Sequence, residues 1–187
     1  FNTAAAADLS TAGAPNLLRV RSASGQSMVD QPLQFGRPFV QGEIAKCPGV
    51  LLDGAPAAAS QVDVKTRHGD GSVRFAVVSA VLPSVPAKGE VTVSFVDSPC
   101  TVPTGLSTTE MLAPGLDFDA RIILNRGAAG SVSARDMLSR GLYTLWTQGP
   151  VVTTAIIADH ARKAYDIGVD AHKSLRPVFE VQFWPTI

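Results

Sequence analysis

The sequence predicts an all-β protein, mainly an antiparallel barrel or sandwich with one or two short helices. Runs of alternating apolar and polar residues recur along the chain, and segments rich in Gly, Pro and Asp separate them roughly every 8 to 12 residues. No regular alternation of strands with long helical patterns, which would indicate βαβ units, is present. The clearest run is Ser60–Leu82, which predicts a long β-hairpin.

This hairpin has one half-buried and one central strand. Residues 62–67 alternate Val, Asp, Val, Lys, Thr and Arg, which is typical of a strand with one apolar and one solvent-exposed face. His68-Gly69-Asp70-Gly71 predicts the turn. After it, Val73–Val81 is apolar on both faces, so we expect the second strand to lie inside a sheet.

The other elements follow from similar signals. Pro32 predicts an edge strand or a bulge, and Gly36–Gly42 is expected to be a loop. Ser107 and Glu110 form a capping-box pattern that predicts a short helix, and a second helix is expected at Ser133–Arg140. Further strands are predicted at Leu17–Arg21, Ser27–Phe35, Val50–Leu52, Glu90–Val96, Phe118–Leu124, Leu142–Thr147, Val151–Ala158 and Val178–Trp184.

The chain is divided into a lead-in and two β-rich parts. Residues 1–15 are rich in Ala, Ser, Thr and Gly and predict a flexible lead-in. Residues 16–98 predict a β-barrel or sandwich core, and residues 99–187 a second β-rich part that either shares this core or has its own. The last strand is followed by no closing helix, which suggests a fragment of a longer protein.

Composition excludes some classes of partner. Lys and Arg number 16 and so do Asp and Glu, so no basic field predicts nucleic-acid binding. No apolar run approaches the roughly 20 residues of a membrane helix. We expect no cofactor, and the compartment is left open between secreted, periplasmic and particle-associated.

The residues to consider for metal or redox chemistry are Cys47, Cys100 and those in the turn of the hairpin. The two cysteines lack the spacing of a metal or redox motif, so a disulfide and two buried free thiols both stay open. Asp63, His68 and Asp70 could converge on a metal, but ordinary turn residues explain them as well. We therefore predict no metal site.

The strongest concentration of polar residues is Asp159–Arg176. His160, His172 and Tyr165 are candidates for proton transfer, and Lys173 and Arg176 for binding an acidic sugar. A solvated loop explains the same residues. Outside this segment, Trp146 is a weak candidate for stacking on a sugar ring, as is Trp184, although large aromatic residues also serve as core.

One stretch resembles a known family. Phe35-Gly36-Arg37-Pro38 precedes Gly42, Gln61 opens the next strand, and the turn reads His68 to Phe75 as HGDGSVRF. Over residues 27–96 this order resembles the amino-terminal RIFT-type β-barrel domain of the exo-rhamnogalacturonan-lyase-like family, with His-Gly in place of Trp-Pro and Phe75 in place of Trp. The resemblance implies a scaffold, because the catalytic cleft of that family lies largely in a following helical toroid. No catalytic residue is carried over.

Together these observations predict a non-catalytic amino-terminal β module of a larger carbohydrate-processing or carbohydrate-binding protein. Its expected partners are a glycan and the remainder of the same polypeptide. Two alternatives stay open. One is a structural or assembly module of a phage-like particle protein, and the other is a polysaccharide lyase acting on acidic sugars.

Overall fold

The protein is all-β, as predicted. The computed structural model describes residues 17–101, 104–124, 130–161, 164–168 and 173–187. They form twelve strands, all paired antiparallel, with two short α-helices and one 3-10 turn. Among these residues no helix has the length and apolar character needed to cross a membrane.

The chain divides into two compact units. One comprises Phe1–Val102 with Thr186–Ile187, and the other comprises Pro103–Pro185. Each has its own arrangement of sheets and is described separately below. Whether the two β-rich parts share a core stays a prediction.

The first unit is a β-sandwich of two sheets. One sheet has the order β1 (Leu17–Arg21), β7 (Glu90–Ser98), β3 (Cys47–Leu52) and β4 (Ala55–Pro56). The other has the order β2 (Met28–Pro38), β6 (Val73–Val85) and β5 (Ser60–Arg67). Alternate residues of both sheets point into one shared core, whose buried members are Phe39, Ile44, Val50, Val73, Ala76, Val78, Val93 and Phe95.

The predicted hairpin is confirmed as β5 and β6. β6 lies between β2 and β5, which explains why both of its faces are apolar. In the turn, Asp70 accepts hydrogen bonds from the backbone N–H and the hydroxyl of Ser72, at 3.0 and 2.6 Å. Gly71 has a φ of +87°, which glycine adopts without strain. This turn is therefore closed by its own side chains.

The expected loop at Gly36–Gly42 is wrong in its first three residues. Gly36, Arg37 and Pro38 continue β2 and pair with β6. The Phe75 ring covers Gly36, and a Cβ built on Gly36 would lie 2.7 Å from Cζ of that ring. The glycine is therefore required by a close approach within the sheet rather than by a turn.

The predicted end of the second hairpin strand is also wrong, because β6 continues through a proline. The predicted hairpin ends at Leu82, but β6 continues through Pro83 to Val85. Within the ladder of β2 and β6, Asp30 and Pro83 are the opposed pair without a bridge, since Pro83 has no N–H to donate. Pro32 lies in β2 at the edge of its sheet, as predicted.

Cys47 and Cys100 form a disulfide, which resolves the two alternatives. Their Cα atoms are 5.1 Å apart. Cys47 is the first residue of β3, where it pairs with Ser98 of β7, and Cys100 follows two residues later. The bond therefore fastens the chain beyond β7 to the start of β3.

The second unit combines a three-stranded sheet with short helices. β10 (Tyr143–Thr147), β11 (Thr153–Ala158) and β12 (Val178–Phe183) form the sheet, and β8 (Arg121–Ile123) pairs with β9 (Ser131–Ser133). Helix α1 (Thr108–Met111) has the predicted capping box, and helix α2 (Ala134–Ser139) begins after its N-cap residue, Ser133. The core consists of Met111, Val132, Ala134, Met137, Leu138, Ala155, Ile157, Ile167 and Phe183.

Candidate functional site

A cleft of about 360 Å³ lies beside the start of α2. Ser133 caps this helix, because its hydroxyl accepts a hydrogen bond from the backbone N–H of Asp136 at 3.1 Å. The same hydroxyl donates to Asp119 at 2.6 Å. The residues that line the cleft are Leu112, Asp119, Arg121, Ser133, Arg135, Asp136 and Ser139.

Asp119 is held by several donors. Besides Ser133, Nε of Arg121 donates to it at 2.5 Å and the backbone N–H of Arg135 at 3.3 Å. Burial by itself would raise the pKa of Asp119, but the bonds from Ser133, Arg121 and Arg135 together outweigh it and leave the pKa below its usual value. Asp119 is therefore a stable anion that holds the start of α2.

Tyr165, a predicted candidate, joins this region. Its hydroxyl donates to Asp136 at 2.8 Å, and Nε of Arg140 donates to the other carboxylate oxygen at 3.1 Å. The bonds from Tyr165 and Arg140 lower the pKa of Asp136, while burial and the bond to Asp136 raise the pKa of Tyr165. We call these residues with those around Asp119 the α2 cluster, which comprises Asp119, Arg121, Ser133, Arg135, Asp136, Arg140 and Tyr165.

The α2 cluster is poorly suited to acid–base chemistry near neutral pH. A general acid or base works best when its pKa lies near the working pH. Here the pKa of Asp136 moves down and that of Tyr165 moves up, so both move away from neutrality. The cluster instead ties the segment after β11 to α2, across 29 positions of sequence.

The two cationic candidates of the polar segment, Arg176 and Lys173, have different surroundings. Nε of Arg176 donates to Asp166 at 3.2 Å, so its charge is already paired. Lys173 is exposed and has a φ of +48°. Next to the Asp166–Arg176 ion pair, Ile167 and Leu175 form an antiparallel β-bridge.

The structure does not support a role for either histidine candidate. His160 is exposed in the turn directly after β11, and no hydrogen bond or ion pair joins it to another described residue. His172 lies outside the described residues. The roles suggested for both histidines stay predictions.

Trp146 lies on the outer face of the three-stranded sheet. Its neighbour Leu145 packs against the core, whereas the Trp146 side chain is 45% exposed. A bulge between Leu145 and Thr147 interrupts the pairing with β11 at this point. Bulges re-aim side chains at sheet edges, and β10 is an edge strand of this sheet.

The same side of the sheet is buried at Thr154 of β11 and is exposed again on β12. Phe179, Val181 and Phe183 belong to the core, so Glu180 and Gln182 point outward and are exposed. Beyond β12, Nε1 of Trp184 donates to Oε1 of Gln182 at 3.2 Å. We call this surface the tryptophan face, and its members are Thr144, Trp146, Ile156, Glu180, Gln182 and Trp184.

The strand register gives the separation between Trp146 on β10 and Gln182 on β12. Thr147 pairs with Thr154, which pairs with Gln182. Trp146 and Gln182 therefore lie on strands separated by two inter-strand spacings, about 9.5 Å. The hydroxyls of Thr147 and Thr154 are buried and bond to each other at 2.7 Å.

Sequence reasoning missed Asp119, Asp136 and Gln182 as parts of these regions. A usable signal existed for Gln182, because Glu180, Gln182 and Trp184 occupy alternate positions of one predicted strand. Arg121 and Arg140 are close in sequence to Asp119 and Asp136. The other partners, Ser133 and Tyr165, are 14 and 29 residues away from these carboxylates, and no local pattern specifies them.

Comparisons with known proteins add no relative. The chain matches no protein-family model, no curated protein and no solved structure at a significant level. The family resemblance of residues 27–96 therefore stays a prediction. In the described part of the chain, no group of three or more His, Cys, Asp or Glu could hold a metal ion.

Proposed function

We propose that this chain is a non-catalytic β module that binds a glycan on the tryptophan face, within a larger carbohydrate-processing or carbohydrate-binding protein. The observation that carries the proposal is the exposed Trp146 on a sheet face that also presents Gln182 and Trp184. The faces of sugar rings are lined with C–H groups that pack on aromatic side chains, and their hydroxyls need hydrogen-bonding partners.

The charge of the tryptophan face favours a neutral sugar. Its residues include Glu180 and neither Lys nor Arg. A uronate carboxylate would lie near a like charge on this face, which is unfavourable. Arg176, a candidate for binding an acidic sugar, forms an ion pair with Asp166. We therefore propose neutral oligosaccharides as the ligand class.

The geometry of the α2 cluster supports a module without catalysis. Its carboxylates are satisfied by Ser133, Arg121, Arg140 and Tyr165, and their pKa values lie below the usual range. Such groups stabilise a local structure and are poorly poised to take up a proton.

Isothermal titration calorimetry with a panel of neutral and uronate oligosaccharides tests the proposal. We expect binding of at least one neutral oligosaccharide, and a loss of tenfold or more in affinity for Trp146→Ala. Ile123→Ala is the matched control, because Ile123 is also an exposed apolar residue of the second unit but lies on β8. This control should bind like the wild type.

Three outcomes would contradict the proposal. The first is an absence of binding across the panel, and the second is equal binding by Trp146→Ala and the wild type. The third is a sugar-independent oligomer, measured by light scattering, that dissociates in Trp146→Ala, since this would assign the face to assembly.

A further inference from the structure

The Cys47–Cys100 disulfide is asymmetric in its surroundings. Cys100 lies in an exposed segment after β7, whereas Cys47 is half-buried at the first position of β3. An incoming thiolate needs access to the sulfur that it attacks. Exposure therefore favours attack at Cys100.

A cation lies beside the other sulfur. Nη2 of Arg67 is 3.8 Å from Sγ of Cys47. The guanidinium also donates to two backbone carbonyls, those of Lys46 and Gly71, each at 2.9 Å. These two bonds fix it in place next to the sulfur.

The charge of Arg67 is not cancelled by a carboxylate. Within the part of the chain that the structure describes, Arg67 makes no ion pair. The carboxylate of Asp97, on the strand β7 that pairs with β3, accepts a hydrogen bond from the backbone N–H of Lys46 at 2.7 Å. A nearby guanidinium stabilises a thiolate, and a more stable thiolate is a better leaving group in disulfide exchange.

We propose that Cys47–Cys100 is a thiol–disulfide exchange site, at which an external dithiol attacks Cys100 and expels Cys47 as a thiolate beside Arg67. In the first step a bond forms between the reductant sulfur and Sγ of Cys100, and the electron pair of the broken S–S bond goes to Sγ of Cys47. In the second step the other thiolate of the reductant attacks its own bound sulfur. Cys100 then leaves as a thiolate and the dithiol becomes a disulfide.

The consequence lies in the segment that follows β7. The disulfide joins Cys100 to the start of β3. After reduction this segment is no longer covalently attached to β3, so its backbone amides should exchange faster with solvent. Oxidising surroundings keep the bond closed, and a reducing compartment opens it.

Adduct mapping tests the order of the steps on the unmodified protein. The protein is treated briefly with glutathione, quenched with acid, alkylated with N-ethylmaleimide and digested for mass spectrometry. We expect glutathione on Cys100 and maleimide on Cys47. Glutathione on Cys47 to an equal or greater extent, or no reaction under native conditions, would overturn the proposal.

Charge variants test the role of Arg67. Arg67→Gln should slow the first step several-fold, because the leaving thiolate of Cys47 loses the positive charge 3.8 Å away, and should weaken the preference for Cys100. Arg74→Gln is the matched control, because it removes an exposed positive charge from the same hairpin, beside the turn. Equal rates in both variants and the wild type would refute the role of Arg67.

Discussion

The α2 cluster and the tryptophan face are both polar regions of the second unit, and they differ in what their side chains contact. In the α2 cluster, Asp119 and Asp136 accept hydrogen bonds from donors of the protein itself. On the tryptophan face, the Trp146 side chain is 45% exposed, and Gln182 is exposed while it accepts a hydrogen bond from Trp184. The cluster has the composition expected of an active site, yet its geometry is that of a structural clamp.

This difference separates composition from function. Carboxylates, arginines and a tyrosine gathered around a cleft suggest catalysis when only residue types are considered. Their pKa directions indicate groups that keep one protonation state near neutral pH. Substitutions in the α2 cluster should therefore lower the free energy of unfolding. Substitutions of Trp146 or Gln182 on the tryptophan face should instead lower the affinity for an oligosaccharide.

The largest loss of stability is expected for Asp119→Ala. This change removes the acceptor for Ser133, Arg121 and the backbone N–H of Arg135 at a carboxylate that is only 22% exposed. Hydrogen bonds to charged groups contribute about 1.5 to 3 kcal/mol each, and Arg121 and Ser133 regain water, so we expect a loss of about 2 kcal/mol. Urea unfolding measures it.

Asp119→Asn is the matched control for this substitution. It keeps one acceptor oxygen of the same shape and should lose less stability than Asp119→Ala. An Asp119→Ala protein as stable as the wild type would show that the α2 cluster does not hold this unit together.

The pH dependence of stability should be a smaller effect of the same carboxylate. Because the pKa of Asp119 is lowered in the folded state, its contribution is present in full above the unfolded pKa, near 4, and is lost as pH falls through the folded value. The melting temperatures of wild type and Asp119→Asn should therefore converge below about pH 4.

Glu180→Gln serves as the control in these melts, since it removes an exposed carboxyl from the tryptophan face. Its melting temperature should follow that of the wild type across the pH range. A constant offset between wild type and Asp119→Asn from pH 7 to pH 2.5 would contradict the linkage.

Tyr165→Phe should have a more modest effect. It removes the hydrogen bond to Asp136 but keeps an aromatic ring near the guanidinium of Arg140. The expected loss is about 1 kcal/mol, less than for a buried hydrogen bond to a charged group, because the Asp136 side chain is 43% exposed to water. In an Asp136→Asn background the loss should be smaller, because the charged acceptor is gone, and the double-mutant cycle measures this coupling.

How far the sequence predicts the molecule depends on the distance between interacting residues. The β5–β6 hairpin was predicted because alternation and a turn act within about twenty residues. The capping box of Ser107 and Glu110 was predicted for the same reason and is present. Gly36 was wrongly assigned to a loop because the Phe75 ring, whose close approach requires a glycine at this position, lies nearly forty residues away in sequence.

The candidate site was predicted less well, for a related reason. The segment Asp159–Arg176 was recognised by its composition, but the partner of Tyr165 is on α2 and that of Arg176 is within the segment. Whether a charged residue is paired depends on tertiary structure, which composition does not encode. Trp146 was named on chemical grounds alone, and its exposure follows from its outward position on β10, an edge strand of the sheet.

The smallest change in stability is expected for Gln182→Ala. Gln182 is exposed on β12, where its side chain accepts a hydrogen bond from Trp184. Exposed substitutions usually change the free energy of unfolding by less than about 0.5 kcal/mol. If the tryptophan face binds a neutral oligosaccharide, loss of this amide should still reduce affinity several-fold, because a sugar hydroxyl loses its partner and Trp184 loses its orientation. Calorimetry and urea unfolding on the same preparation measure both quantities, and a variant that loses stability but keeps full affinity would reverse the contrast between the two regions.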